Sequence, residues 1–434
     1  MVKTPLEDWI ALKIGLKDGL VFQKALEQYQ LAQIRKTLIL VKEKSLFYRK
    51  QFSGLDPWKI KSFEDFSELP FTETEDIRKD PQSFVCSSPK EIARIVTLAS
   101  SGTTGTPKRI YFTEKDQELT IDFFDYGMRN LVDSTDKVLI LLPGSTPGSV
   151  GDLLFKGLKR LGALPIPFGP VYDFEKALKT ALELGATSMV GIPTQVLGLA
   201  RHERASELKG RIKSVLLSTD YVPQSIVRAI EKSWNCQVFN HYGMTEMGLG
   251  GGVQCPARVG YHLREADLYF EIVDPKTGSP LPDGLEGEVV FTTLTRVGMP
   301  LVRYRTGDLS RFLLNNCPCG TKLRSMDLIK NRIASKIPLG NNYLSISDLD
   351  EVLFGFDEVL DYQVQLKEEK EEVFLFIDLI LGKRERFNID EFRQALEKNF
   401  ARDFSSKKIK FILREAKTGF ISKGTAKRKI EILP

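Results

Sequence analysis

Hydroxyl and glycine residues alternate through Leu98-Ala99-Ser100-Ser101-Gly102-Thr103-Thr104-Gly105-Thr106-Pro107-Lys108, and a lysine closes the run. A loop of this kind offers backbone N–H groups and hydroxyls to phosphate oxygens, and Lys108 adds a point charge. It is not a G-x-x-x-x-G-K-[ST] loop, because Pro107 stands five residues after Gly102. A polar surface linker has the same composition, so the loop alone leaves both readings open. A second cluster, Asn240-His241-Tyr242-Gly243-Met244-Thr245-Glu246, follows the strand-like Val238-Phe239. Gly243 lets the chain bend, Tyr242 offers a flat face to a base, and Glu246 can hold Mg²⁺ near phosphates. The plainer alternative is a strand end with an exposed acid. A third, Tyr304-Arg305-Thr306-Gly307-Asp308, places a carboxylate after a tight glycine turn. Such a carboxylate can accept both hydroxyls of a ribose, or simply cap the turn.

Cys255, His262, Cys317 and Cys319 make a C-x6-H pair and a C-x-C pair about 55 residues apart. Three thiolates and an imidazole suit tetrahedral Zn²⁺. Four protein ligands would leave no open position, so such a site is structural rather than catalytic. Unpaired cysteines in a turn are the alternative. Cys86 and Cys236 read as packing residues, and His202, within Arg201-His202-Glu203-Arg204, reads as an exposed helical residue.

The elements that must position these groups follow an α/β rhythm. Apolar positions at helical spacing mark a helix over about 20–50, and Phe71-Thr72-Glu73-Thr74-Glu75-Asp76 carries the Thr-then-acid pattern of a helix start. Strands are expected at 94–98, 137–142, 163–168, 187–191, 213–218 and 236–240, with a helix over 151–161 and further helices between them. That is the β-α-β order of a parallel sheet covered by helices, whose ligands sit beyond the carboxyl ends of the strands. Strand signals at 268–273 and 288–293, separated by Asp274-Pro275-Lys276-Thr277-Gly278 and Pro282-Asp283-Gly284, predict a small antiparallel unit. The last hundred residues predict a small α+β domain, with helices near 347–354 and 390–400 and strands near 359–366, 372–381 and 408–413.

With 62 basic against 57 acidic residues, the net charge of +5 argues for no nucleic-acid partner. Asp8, Lys13 and Lys17 interrupt any apolar leader at the N-terminus. No uninterrupted run of about 18 apolar residues marks a membrane span. A cytoplasmic protein without a membrane partner is expected. Five cysteines in 434 residues make no disulfide scaffold.

Taken together and in this order, SSGTTGTPK, YGMTE and YRTGD resemble the adenylate-forming (acyl-CoA synthetase) superfamily over nearly the whole chain. GEVVFTTLTRVGMPLVRYRTGDL (287–309) and the Cys/His set are most similar to the phenylacetate-CoA ligase family within it. The resemblance implies a large N-terminal AMP-binding domain, residues 1–331, built of parallel sheets covered by helices plus the small antiparallel unit. A mobile C-terminal α+β domain, residues 332–434, would follow. It implies that a carboxylate attacks the α-phosphate of ATP to give an acyl-adenylate and pyrophosphate, and that coenzyme A then displaces AMP. Carried over by motif, Ser100, Ser101, Gly102, Thr103, Thr104, Gly105 and Lys108 would hold the ATP phosphates. Tyr242 would stack near adenine, with Asn240, His241, Gly243 and Met244 around it. Thr245 and Glu246 would serve the α-phosphate and Mg²⁺, Asp308 the ribose, and Arg332 the hinge. Ser218-Thr219-Asp220 stands where the family carries a glycine-containing adenine loop ending in an acid. Phe123-Phe124-Asp125-Tyr126, the run Pro143 to Asp152, and the neighbourhoods of Ser218 and Gly243 would form a pocket for an aryl or apolar acid. His241 either lines that pocket or packs beside it. Relatives often form homodimers, and some look similar at the Cys/His set, with a CPCG-type pair.

Two departures stand out. The hinge, roughly G-R-x-D-D in the family, reads Asn331-Arg332-Ile333-Ala334-Ser335-Lys336 here, so Arg332 survives and the acids do not. Near the end, Ser422-Lys423-Gly424-Thr425-Ala426-Lys427-Arg428 puts Thr425 where relatives place a lysine aimed at the α-phosphate. Losing such a cation costs about 10²–10³ in rate, unless Lys423 or Lys427 substitutes. These departures keep two alternatives open: an adenylating enzyme with an acceptor other than coenzyme A, and a catalytically weak nucleotide-binding relative.

Overall fold

The computed structural model describes residues 2–16, 22–98, 107–339, 342–369, 372–382, 387–400, 408–416 and 428–433. The chain divides into two compact units, one of residues 1–133, 146–162 and 241–329, the other of 134–145, 163–240 and 330–434. Residues 330–434 thus group with the parallel-sheet segments. The 1–331 and 332–434 division is a different partition.

The second unit is built on five parallel strands in the order 237–240, Ser214–Leu217, Ser188–Gly191, Lys137–Leu141, Leu164–Pro167. Ser188–Gly191 and Ser214–Leu217 are buried at every position, as strands covered on both faces must be, which is why they read as short runs rather than alternations. The crossover helices are Phe174–Leu184, Pro193–Arg201 and Gln224–Trp234. The first starts at the Asp173 N-cap and stops at left-handed Gly185. The same unit holds an antiparallel pair, Val359–Glu368 and Glu372–Leu381, flanked in parallel by Ile430–Ile432 and Lys408–Glu415. Helices Ile346–Leu353 and Ile389–Phe400 bury Leu349, Leu353, Phe392 and Leu396 in its core. His202 differs from expectation: the helix ends at Arg201, and His202 is its half-buried C-cap, 3.7 Å from Glu175.

The first unit carries the antiparallel sheet expected around 268–293, extended by a third strand, Tyr304–Ser310. YRTGD is therefore not a free turn. Gly307 takes φ +73° inside the strand, where the register against Gly287–Thr293 shifts, so the glycine makes a bulge. A strand at Lys108–Thr113, which the sequence reading missed, pairs antiparallel with Ile92–Leu98, and Leu98 faces Lys108 across the ends. The expected helix start near Thr72 lies two residues later. Thr72 instead bridges to Tyr304, and the helix runs Thr74–Lys79. His241 and Tyr242 pair with Gly252–Gln254, which pairs with Tyr261–Leu263 and so with Ser325–Met326. Among the described residues no helix is long and apolar enough to cross a membrane.

Two polar features have measurable consequences for stability. The helix Glu114–Met128 opens on a capping box between Thr113 and Asp116. Asp116, 3% exposed, also accepts from the Val297 and Gly298 amides at 2.9 and 3.0 Å. Asp116→Ala removes the cap and strands two buried N–H groups. We expect it to lower unfolding free energy by about 3 kcal/mol in urea titrations; a loss below about 1 kcal/mol contradicts the assignment. After the strand Ser214–Leu217, Thr219 holds φ +80°, a strained conformation for a β-branched residue, and its buried hydroxyl makes no hydrogen bond among the described residues. Thr219 thus holds a backbone conformation that favours glycine. Thr219→Gly is expected to raise stability by about 1 kcal/mol, strain relief exceeding the added unfolded-state entropy. A fall in urea midpoint contradicts this.

Candidate active site

Lys108 opens its strand, Glu246 lies in the 3-10 turn Thr245–Met247, and Tyr304 opens the third strand of the antiparallel sheet. The first unit brings the three side chains together. Lys108 Nζ donates to Glu246 Oε1 and, at 3.1 Å, to the Tyr304 hydroxyl. The Tyr304 hydroxyl lies 3.3 Å from Glu246 Oε1 and 2.7 Å from Thr74 Oγ1. Lys108, Glu246 and Tyr304 are all buried. An ion pair so far out of water is held by mutual attraction, and removing either partner leaves a charge that costs several kcal/mol. The pair is also chemically apt: a phosphate can replace Glu246 on the lysine, and a divalent cation can replace the lysine on Glu246. Such a cation takes one or two carboxylates plus substrate phosphates, so a single glutamate fits magnesium.

Gly243 permits this turn, because a Cβ there would stand 2.4 Å from the Leu249 carbonyl oxygen. Behind the turn, Arg296 Nη1 donates to the Glu246 carbonyl at 2.7 Å, and Thr120 Oγ1 donates to the Gly248 carbonyl at 2.8 Å. Burial lowers the Arg296 guanidinium to about 10, and its plane rests on the Phe112 ring at 4.9 Å. Further along the Tyr304 strand, Asp308 is 1% exposed and accepts from the Tyr242 hydroxyl at 3.0 Å. The expected base-stacking and ribose-binding residues are therefore bonded to each other. Tyr304, Thr74 and Arg296 were not singled out from sequence. The alternating burial of Tyr304, Thr306 and Asp308 is the period-2 signal that would have put Tyr304 on the Asp308 face.

The remaining expected residues divide as follows. Ser100 to Gly105 lie outside the described residues, as do Lys423, Thr425 and Lys427. Ser218, Thr219, Asp220, Asn240 and Arg332 belong to the second unit. There Asp220 Oδ2 accepts from the Arg428 backbone amide at 3.4 Å. Arg428 Nη2 pairs with fully buried Asp350 at 2.7 Å, its guanidinium lying on Phe354. Burial pushes the Asp350 carboxyl up to about 7 against the pull of Arg428. Arg332 is half-buried, and its amide donates to Ser335 Oγ at 3.1 Å. In the first unit, His241 sits half-buried beside the rings of Phe123 and Phe124 at 6.3 and 6.0 Å, and desolvation lowers its ring to about 4.

Cys255, His262, Cys317 and Cys319 converge, all four buried, with their ligand atoms within 4.8 Å of one another. Cys255 Sγ to Cys317 Sγ and Cys319 Sγ to His262 Nε2 each measure 3.6 Å. A tetrahedral zinc with bonds of about 2.3 Å has ligand-to-ligand edges of about 3.8 Å, so the set fits that ion. His262 Nδ1 faces Ser325 Oγ at 3.4 Å, leaving Nε2 toward the thiols. Burial pushes the Cys255 thiol up to about 12 and His262 down to about 4. A dication would draw the thiols to thiolates. Glu7, on the helix Pro5–Lys13, holds the end of this loop by accepting from Thr321 Oγ1 at 2.7 Å and from the Lys322 amide.

A family model described as AMP-binding enzyme matches residues 23–295, a stretch that contains Lys108 and Glu246. The chain is 28% identical over 361 residues to the phenylacetate-coenzyme A ligase of Thermus thermophilus, covering 80% of this chain and 79% of that one. It is 32% identical over 301 residues to the phenylacetate-coenzyme A ligase of Pseudomonas putida, covering 67% of each. Its fold is like that of 2-hydroxyisobutyryl-CoA ligase in the postadenylation state with R3-HIB-AMP, with a TM-score of 0.79 at 20% identity over 94% of this chain and 89% of that one. The chain belongs to the AMP-binding enzyme family, in its adenylate-forming, phenylacetate-CoA ligase-like branch.

Proposed function

We propose that this protein is an ATP-dependent carboxylate–CoA ligase. A carboxylate oxygen bonds to the α-phosphorus of ATP as the bond to pyrophosphate breaks. The coenzyme A thiol, losing its proton, then bonds to the acyl carbon as AMP leaves. The observation that carries this reading is the buried Lys108–Glu246 pair in the same unit as the Tyr242–Asp308 pair. Both steps need charge neutralisation and positioning more than covalent help from the protein.

In this reading Lys108, with Ser100 to Gly105, orients the β- and γ-phosphates. Thr245 meets the α-phosphate, Tyr242 the base, and Asp308 the ribose hydroxyls after giving up its bond from Tyr242. Glu246 would hold magnesium, which supplies positive charge against the departing pyrophosphate. By motif, Ser218, Thr219, Asp220, Asn240, His241, Gly243 and Met244 are assigned to the nucleotide, and Arg332 to the hinge of a 1–331 and 332–434 domain pair. Phe123, Phe124 and neutral His241 favour an aryl or apolar acid. Thr425 in the lysine position favours a second reading, in which adenylation is slow or the acceptor is not coenzyme A. A cytoplasmic homodimer without nucleic-acid or membrane partners completes the proposal; the near-neutral charge balance supports the absence of a nucleic-acid partner.

An acid panel screened for carboxylate-dependent exchange of labelled pyrophosphate into ATP, then for CoA thioester by mass spectrometry, tests the function. At least one aryl or apolar acid is expected to support both, and Glu246→Gln to lower exchange by about 10²-fold. Exchange without thioester selects the second reading, and no exchange with any acid overturns both. We also assign a structural zinc to Cys255, His262, Cys317 and Cys319. It is expected as one zinc per purified chain by plasma mass spectrometry, lost in Cys317→Ser along with a drop in melting temperature. A metal-free native protein contradicts it.

A further inference from the structure

The Lys108–Glu246 pair raises a question that its own two residues do not answer. If Glu246 turns to a magnesium ion, Lys108 loses its carboxylate partner while still buried, and an unpaired buried ammonium is strongly disfavoured. Something must keep the lysine aimed until phosphate arrives. We infer that Tyr304, with its hydroxyl steered by Thr74, is the positioning residue that does so. This rests on the reading above that Lys108 meets the ATP phosphates and Glu246 the metal.

The geometry gives both hydroxyls a place in each state. Tyr304 accepts from Lys108 Nζ at 3.1 Å, and its ring face lies 5.6 Å from the same nitrogen. The phenol has one proton to give. With Glu246 on the lysine, that proton points to Glu246 Oε1 at 3.3 Å and Thr74 donates to the phenol at 2.7 Å. With Glu246 withdrawn, the phenol donates to Thr74 instead and still accepts from Lys108. Thr74 suits this exchange because its hydroxyl both donates and accepts. The frame is rigid on both sides. Tyr304 is paired with Phe291 in the sheet, and their rings lie 5.4 Å apart. Thr74 is fixed as the first residue of Thr74–Lys79, and Thr72 is bridged to Tyr304.

The consequence is a penalty that depends on both magnesium and the β- and γ-phosphates. Calorimetric titration of ATP and AMP into the full chain, each with magnesium and with EDTA, reads it without turnover. Tyr304→Phe is expected to weaken magnesium–ATP binding about tenfold, because the bond from Lys108 to the phenol is present in both states but strengthens once the competing Glu246 carboxylate has left the buried ammonium. The same variant should bind AMP, and ATP in EDTA, within about threefold of wild type, about half a decade of affinity. Thr74→Val should show the same pattern more weakly, and Thr74→Ser should recover wild-type affinity. Wild-type magnesium–ATP affinity in both Tyr304→Phe and Thr74→Val, or equal losses for ATP and AMP with or without magnesium, overturns the inference. Lys108→Ala separates it from the reading beneath. If that variant binds magnesium–ATP as wild type does, the phosphate role of Lys108 falls and this inference with it. If Lys108→Ala loses binding while Tyr304→Phe does not, only the inference falls.

Discussion

Two opposite charges removed from water constrain everything built around them. Lys108 and Glu246 lie 138 positions apart in sequence, and neither can be buried alone without a penalty that rivals a large part of a domain's stability. Their contact therefore demands that a strand end, a 3-10 turn and the start of another strand arrive together. The pairing also makes the site chemically labile. In the proposed function, a pair satisfied internally is split by a ligand that brings both signs of charge, as a nucleoside triphosphate with its metal does.

The surrounding architecture holds this pair still. Arg296 grips the Glu246 carbonyl from behind, Asp116 ties the start of the Glu114–Met128 helix to the 297–298 turn, and the Tyr304 strand is fixed on one side by Phe291 and on the other by Thr72. These are buried polar contacts, the kind that specify one arrangement rather than merely stabilise a collapsed one. The buried Cys/His cluster brings residues 255–262 and 317–319 together in the same unit.

Much of the second unit was legible in the sequence because parallel strands covered on both faces read as short apolar runs. Ser188–Gly191 and Ser214–Leu217 lie within the expected windows for that reason. The elements missed are those whose partners are distant or whose length is minimal. Lys108–Thr113 follows a polar run of sequence and takes its identity from pairing with Ile92–Leu98, while Gly252–Gln254 and Tyr261–Leu263 are three residues each and exist only as parts of a ladder. Motif chemistry singled out Lys108, Glu246, Tyr242 and Asp308, which the structure joins as two pairs, and residue type and spacing singled out the four Cys/His residues that converge. Tyr304 escaped because its motif was read as a glycine turn, whereas Gly307 bulges within a continuing strand. Thr74 and Arg296 carry no motif at all; only tertiary placement gives them a role.

Separated polar clusters are proposed to close on one nucleotide by opening the Lys108–Glu246 pair. A crystal structure with ATP and magnesium tests this most directly. The expected result is Lys108 Nζ bonded to a β- or γ-phosphate oxygen, Glu246 on the metal, and the ribose hydroxyls on Asp308. Nucleotide bound with the Lys108–Glu246 contact intact and its phosphates elsewhere would contradict it.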